Sequence, residues 1–284
     1  MNDNLQKIKK LAIIALFTDD DLMHDFVLKG GTALELAYDL NDRASIDIDV
    51  SMGNDFNLES ISPKLKEIFI DTFDLEGYYL FDFKMFMKPG KKNFPQGEFW
   101  GGYCIEFKVI SKDKKNQLKD DIDTLRRNAE VVDSNNGKTY KIDISKYECC
   151  TNKQELDFDG YSIYVYTPVM IVNEKLRAIC QQMDEYRKIV PTNRRQRSRD
   201  FFDIHNILTK LPETRRHFYS DENKELLKSV FEIKKVPFDL IYKIKNERDF
   251  HAPNFNTVKN TVSSTEVQDF DFYFDYVVDL IENL

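Results

Sequence analysis

The sequence predicts an α+β chain whose N-terminal half mixes strands with helices and whose C-terminal half is helical, changing character near Thr167. Three observations carry this. Ile46-Asp47-Ile48-Asp49-Val50 alternates apolar and acidic residues with period two, the signature of a half-buried strand. Residues 78–87, 99–110, 140–144 and 161–166 are further runs rich in aromatic and β-branched residues, bounded by turn-forming segments. Beyond Thr167 only helical spacing recurs, beginning at Pro168, whose fixed φ suits a helix first turn.

In chain order, residues 4–17 read as an amphipathic helix. An apolar run then ends at Gly30-Gly31, and Thr32 to about Leu40 carries Leu34, Ala37 and Tyr38 at helical spacing. After the strand at 46–50, residues 58–73 place Ile61, Leu65, Ile68 and Phe69 on one helical stripe. Two strands, 78–87 and 99–110, flank a loop of Lys, Pro and Gly at 88–97. Residues 114–129 read as one helix with Leu118, Ile122 and Leu125 aligned, and Asn135-Asn136-Gly137 as a turn. The strand at 161–166 is the last one expected. One long helix is expected over 169–190, then a basic connector, Arg194-Arg195-Gln196-Arg197-Ser198-Arg199, and a helix from Asp200 in which Asp200 and Asp203 share a face. Segments 222–234, 237–246 and 266–283 complete the helical half. The expected domains are 1–166 and 167–284.

At 284 residues with 42% hydrophobic content, 22 Phe and 14 Tyr, the chain can bury a large core and is not a disordered tract. A net charge of −8 leaves no general basic field, so any site for a polyanion must be a local patch. Cys104, Cys149, Cys150 and Cys180 form no Cys-x-x-Cys pair, which suits reduced thiols rather than zinc or a disulfide frame. His24, His205, His217 and His251 are scattered, against a histidine metal site. No secretory signal pattern opens the chain, and 11–17 is too short to span a bilayer, so a cytoplasmic location without membrane association is expected.

The chemistry concentrates at residues 26–50. On a strand, Asp47 and Asp49 point to one face while Ile46, Ile48 and Val50 point to the other. Adjacent carboxylates repel, and a divalent cation such as Mg²⁺ relieves the repulsion, completing its shell with substrate phosphate. Two glycines let backbone approach a ligand closely, and the helix that follows offers free N–H groups to phosphate. The alternative is a solvated strand face, the usual fate of an isolated Asp-x-Asp. The glycine pair, the helix, and Arg43 and Ser45 argue against it.

Four blocks in order, Leu28-Lys29-Gly30-Gly31-Thr32-Ala33-Leu34, Arg43-x-Ser45-x-Asp47-x-Asp49, Glu174-Lys175-Leu176-x-Ala178 and Arg199-Asp200-x-x-Asp203, resemble the AbiEii family. These are bacterial nucleotidyltransferase-like toxins of abortive-infection and toxin–antitoxin systems, within the DNA polymerase β-type superfamily. Two features depart from the wider superfamily: Thr32 after the glycines, where serine is common, and 15 residues between Gly31 and Asp47.

The resemblance implies a mixed sheet with flanking helices and an all-α C-terminal lobe, in a bilobed molecule. It implies that Gly30, Gly31 and Thr32, with Lys29 beside them, bind the nucleoside triphosphate, and that Asp47 and Asp49 bind Mg²⁺ or Mn²⁺. A third acid on a neighbouring strand would be Asp143, with Glu106 as the alternative. Lys175 would reach the phosphates and Asp203 would position it, while Asp200 complements the helix dipole. The implied reaction moves a nucleoside monophosphate from NTP to an acceptor, with RNA, tRNA in particular, foremost. Arg194, Arg195, Arg197 and Arg199 would contact its phosphates, and a separately encoded antitoxin would be the partner. Nucleotidylation of a protein or small molecule, or silent NTP binding, are the alternatives.

Overall fold

The computed structural model describes residues 3–40, 47–90, 99–118, 121–132, 136–262 and 267–284. Arg43, Ser45 and Ile46 lie outside the described residues. Two compact units are present: Met1–Ala33 with Ser45–Val165, and Leu34–Ala44 with Tyr166–Leu284. The sequence had assigned the short Leu34–Ala44 stretch to the first half.

The first unit is built on a mixed sheet of seven strands among the described residues: β1 (Val27–Lys29), β2 (Ile48–Ser51), β3 (Tyr78–Lys88), β4 (Gly102–Ser111), β5 (Tyr140–Ser145), β6 (Lys153–Phe158) and β7 (Tyr161–Tyr166). Their order is β3-β4-β5-β2-β1-β7-β6. β2 runs parallel to β5, β1 parallel to β7, and β1–β2, β3–β4 and β4–β5 are antiparallel. One face of this sheet is the core. Helix α1 (Asp3–Phe17) and helix α3 (Leu58–Leu75) pack together there.

Asn57 starts α3 by accepting the Glu59 and Ser60 N–H groups on its side chain, satisfying donors that a helix leaves open at its first turn. The buried stripe Leu65, Phe69 and Phe73 then meets Phe107, whose ring centroid is 5.5 Å from that of Phe69 and 5.6 Å from that of Phe73. Each fully buried aromatic of this kind stabilises the unit by about 2–3 kcal/mol.

Four expectations differ from what is observed. β6 was not foreseen, because Lys153-Gln-Glu-Leu-Asp-Phe158 is polar. Its signal was the Asp159-Gly160 pair, both with positive φ (55° and 83°), as a two-residue hairpin turn requires. The helix expected over 114–129 is two, α4 (Lys112–Asn116) and α5 (Ile122–Asn128), the second opened by Asp121, whose carboxylate accepts the Thr124 N–H at 2.9 Å. The helix expected over 169–190 stops as α6 (Pro168–Cys180), capped by Thr167. Met183 then turns extended, which buries Met183 and Tyr186, and only α7 (Asp184–Arg187) follows. Residues 237–246, expected as a helix, form a 3-10 run, Phe238–Asn246, after Pro237.

The second unit is helical, continuing with α8 (Ser198–Lys210), α9 (Pro212–Phe218), α10 (Asp221–Glu232), α11 (Arg248–His251), α12 (Asn256–Lys259) and α13 (Phe270–Glu282). Its core is aromatic: Phe201 lies 5.4 Å from Phe270 and 5.5 Å from Phe274, and Phe202 lies 5.2 Å from Tyr273, centroid to centroid. Among the polar groups inside it, the Asn173 amide donates to Asn223 at 2.8 Å, both residues being fully buried. Among the described residues no helix is long and apolar enough to cross a membrane.

His251 is also fully buried and accepts the Arg197 N–H on Nδ1 at 2.9 Å. Burial holds its pKa down at about 4; Asp200 opposes the shift, and Arg194 and Arg197 add to it. The unfolded imidazole, near 6.5, therefore binds a proton that the folded one refuses, and acid favours unfolding as pH falls from about 6.5 to about 4. Denaturant unfolding across that window should show a loss on the order of 3 kcal/mol. The same pH series on His251→Asn should show a correspondingly shallower slope.

Candidate active site

β1 ends at Lys29, and α2 (Gly30–Tyr38) begins at the next residue. Gly30 makes this abrupt change with φ +67°, a left-handed value that costs a residue with a Cβ about 1 kcal/mol or more. Space is also short. A Cβ at Gly30 would lie 2.8 Å from Asp49 Oδ2. Glycine is thus what lets the start of a helix sit against this carboxylate.

The acids are placed by strand register. The parallel pairing of β2 with β5 matches Ile48 with Ile142, Asp49 with Asp143 and Val50 with Ile144. The apolar residues are buried in the core. Asp49 and Asp143 consequently share the opposite face, on backbones about 4.8 Å apart. Asp47 lies just before β2, two residues ahead of Asp49, rather than on the strand as expected; it is exposed and offers its backbone carbonyl to the Thr32 hydroxyl at 2.8 Å. Thr32, expected to meet phosphate, is fully buried and ties its hydroxyl to the acid-bearing segment instead. Lys29 is in register with Asp49 across β1–β2, and its ammonium lies 3.9 Å from Glu148.

Asp143 and Glu106 are not equivalent. Glu106 is matched with Lys141, with 3.3 Å between ammonium and carboxylate. Asp143 is matched with Cys104 on that side and receives the Lys88 ammonium on both oxygens, at 2.8 and 3.0 Å. Burial, and then the neighbouring Asp143, push the Cys104 thiol up to about 12, so it stays a neutral neighbour. Among the described residues no group of three or more His, Cys, Asp or Glu side chains is drawn together as a ready metal cage.

In the helical unit, α6 presents Lys175 to α8. The ammonium donates to Asp203 at 2.6 Å and to Asp200 at 3.0 Å, and all three residues are buried. Asp200, expected only to complement the helix dipole, also holds the lysine; its spacing of three from Asp203 on one helix carried that signal. The arginine connector is divided. Arg194 pairs with Glu247 and stacks on Phe250, its guanidinium 3.7 Å from the ring centroid, and Arg197 lies 3.6 Å from Asp200. Arg195 and Arg199 are exposed.

A profile of the family described as nucleotidyl transferase AbiEii toxin, type IV toxin–antitoxin system, matches residues 14–275. The chain belongs to the AbiEii family. As an AbiEii protein it is a nucleotidyltransferase, and the mixed sheet with a helical C-terminal region is the fold expected of it. A search of curated protein sequences returned no match. Among solved structures, JHP933 from Helicobacter pylori is similar at 17% identity and a TM-score of 0.49, over 98% of this chain and 89% of that one. An antigenic nucleotidyltransferase-like protein from Paracoccidioides brasiliensis follows at 12% identity and 0.39, over 93% and 96%. The antibiotic-resistance factor ANT(2'')-Ia stands at 10% and 0.35, over 83% and 95%.

The glycine geometry yields a direct test. Gly30→Ala places a methyl group against Asp49 and forces a left-handed residue with a Cβ. It should lower nucleotidyl transfer at least tenfold while costing about 1–2 kcal/mol in unfolding free energy. Activity and chemical denaturation measured on one preparation check both numbers.

Proposed function

We propose that this AbiEii protein transfers a nucleoside monophosphate from an NTP to an RNA acceptor, tRNA in particular, with Mg²⁺ or Mn²⁺, and acts as a toxin held in check by a separately encoded antitoxin in the cytoplasm. The register of Asp49 against Asp143 beside Gly30 carries this reading. Hard carboxylate oxygens on one sheet face are the donors Mg²⁺ takes, and Mg²⁺ is usually held by one or two carboxylates plus substrate phosphates rather than by a protein cage. The residues present fit that cation: Asp47 and Asp49 would hold it, with Asp143, in register with Asp49, as the third acid. When bound, it would lower the pKa of the attacking hydroxyl and neutralise the departing pyrophosphate.

The chain's own groups do the positioning. The Gly30 and Gly31 backbone and the N-terminus of α2 meet phosphate oxygens with N–H groups and the positive end of the helix dipole. Thr32 fixes the Asp47 backbone. The family resemblance gives Lys175 the phosphate-binding charge, and Asp200 and Asp203 hold its ammonium in one orientation. Phosphoryl chemistry leaves little covalent work to the protein, so placement and charge account for most of the acceleration. The exposed Arg195 and Arg199 support an anionic acceptor such as RNA over a small cationic one.

Incubation with each labelled NTP, Mg²⁺ and total cellular RNA tests the reaction, and label confined to protein or left as free NTP counts against an RNA acceptor. Asp49→Asn should reduce transfer by about a hundredfold or more with the melting temperature held or slightly raised, because a repelling carboxylate is removed. Lys175→Ala and Asp203→Asn should each lower kcat, and the double variant should be little worse than the more impaired single. Additive losses would show that the two act separately. Lys175→Ala should also destabilise the fold by about 3–5 kcal/mol, since it removes the ammonium that two buried carboxylates share. Changing Arg195 and Arg199 to Gln should weaken RNA binding and reduce the slope of log affinity against log salt by roughly 0.7–0.9 per lost contact.

A further inference from the structure

The carboxylate face carries a cation that no block of the sequence marked. β3 is an edge strand, and its register with β4 matches Lys88 with Gly102, Phe86 with Cys104 and Lys84 with Glu106. The next ladder matches Cys104 with Asp143, so Lys84, Phe86 and Lys88 belong to the sheet face that bears Asp143 and Asp49. From that edge the Lys88 side chain crosses to Asp143 and engages both oxygens at 2.8 and 3.0 Å. Its side chain is 53% exposed and that of Asp143 39%. An ion pair so open to water is weak and readily exchanged.

We propose that Lys88 is a positioning residue of the carboxylate site, its ammonium holding Asp143 in place and yielding it when a divalent cation binds between Asp143 and Asp49. The proposal rests on the carboxylate reading given above. Both Asp143 oxygens carry the ammonium, so a divalent ion that takes either one competes with it for that oxygen. A +1 group left beside a +2 ion is also repelled. The exchange moves no covalent bond. The ammonium swings out on its four-carbon stem, and the released cation remains at the mouth of the site, where the phosphates of a bound nucleotide bring negative charge. Glu106 is not part of the exchange, because Lys141 neutralises it from the adjacent strand.

Mn²⁺ titration followed by electron paramagnetic resonance, without nucleotide and at constant ionic strength, tests this apart from activity. Lys88→Met keeps an unbranched stem and removes the competing charge, so Mn²⁺ should bind roughly threefold to fivefold more tightly than to the wild type, the scale of an exposed ion pair. Lys84→Met removes an exposed cation four residues away on the same face and should leave the affinity within about 1.5-fold, since a change confined to Lys88 marks local competition rather than general surface charge. Lys88→Arg keeps the charge and should stay near the wild-type affinity.

Equal affinity in the wild type and Lys88→Met, or equal tightening by Lys88→Met and Lys84→Met, overturns the proposal. Asp49→Asn in the same titration separates the two readings. If it binds Mn²⁺ as the wild type does, the carboxylate site itself is wrong and the role of Lys88 falls with it. If it loses Mn²⁺ while Lys88→Met is unchanged, only the role of Lys88 is wrong.

Discussion

The parallel pairing of β2 with β5 is the constraint on which the site depends. It is a backbone interaction, yet it decides side-chain chemistry, because a shift of one residue would turn Asp49 into the core and Ile48 into water. That shift is prevented from the apolar side. Ile48, Val50, Ile142 and Ile144 are each 3% exposed or less, and turning any of them outward would forfeit about 2–3 kcal/mol of burial. The hydrophobic effect thus holds two like charges on one face that their own repulsion would separate. Gly30 adds the second restraint, bringing a helix start to within contact of Asp49 through a conformation that other residues enter only with strain.

The helical unit solves a related electrostatic problem differently. Asp200, Asp203 and Lys175 are nearly removed from solvent, where isolated charges are costly. They persist because the ammonium bonds both carboxylates and Arg197 approaches Asp200 from the other side, leaving the group close to neutral. Such a network contributes more to fixed orientation than to net stability, since hydrophobic residues of equal volume are often as stable. A lysine placed in this way has one direction available to it. On the sheet, the pair of Lys88 with Asp143 is open to water on both sides, 53% and 39% exposed, and so is held less tightly.

Much of this was legible in the sequence, and the reasons differ by residue. The alternation at Asp47 and Asp49 reports a strand and its faces directly, because period two is a property of the backbone. Four separated blocks carried the family, and with it the pairing of Lys175 with Asp203. Lys88 was not legible: its partner lies 55 residues away across two ladders, and nothing local marks which carboxylate an exposed lysine will meet. β6 was missed because its residues are mostly polar, which an edge strand tolerates, leaving only the Asp159-Gly160 turn to announce it. The breaks in the helices expected over 114–129 and 169–190 were missed because a local cap in the first case and tertiary burial in the second outweigh propensity. Arg194 and Arg197 look like Arg195 and Arg199 in a run of basic residues, and only the fold shows that Glu247, Phe250 and Asp200 claim the first two.

The strand order carries one more consequence. β3 and β6 are the edges, whereas β5 and β2 each have hydrogen-bonded neighbours on both sides. Amides in interior strands of this kind exchange with solvent chiefly through opening of the whole cooperative unit, while edge strands exchange by local fraying. Asp49 and Asp143 therefore sit in the part of the sheet that opens last. Weakening mutations elsewhere in the unit will not loosen the carboxylate pair by degrees; they will reduce the fraction of molecules in which it exists, and each remaining folded molecule will keep its full complement.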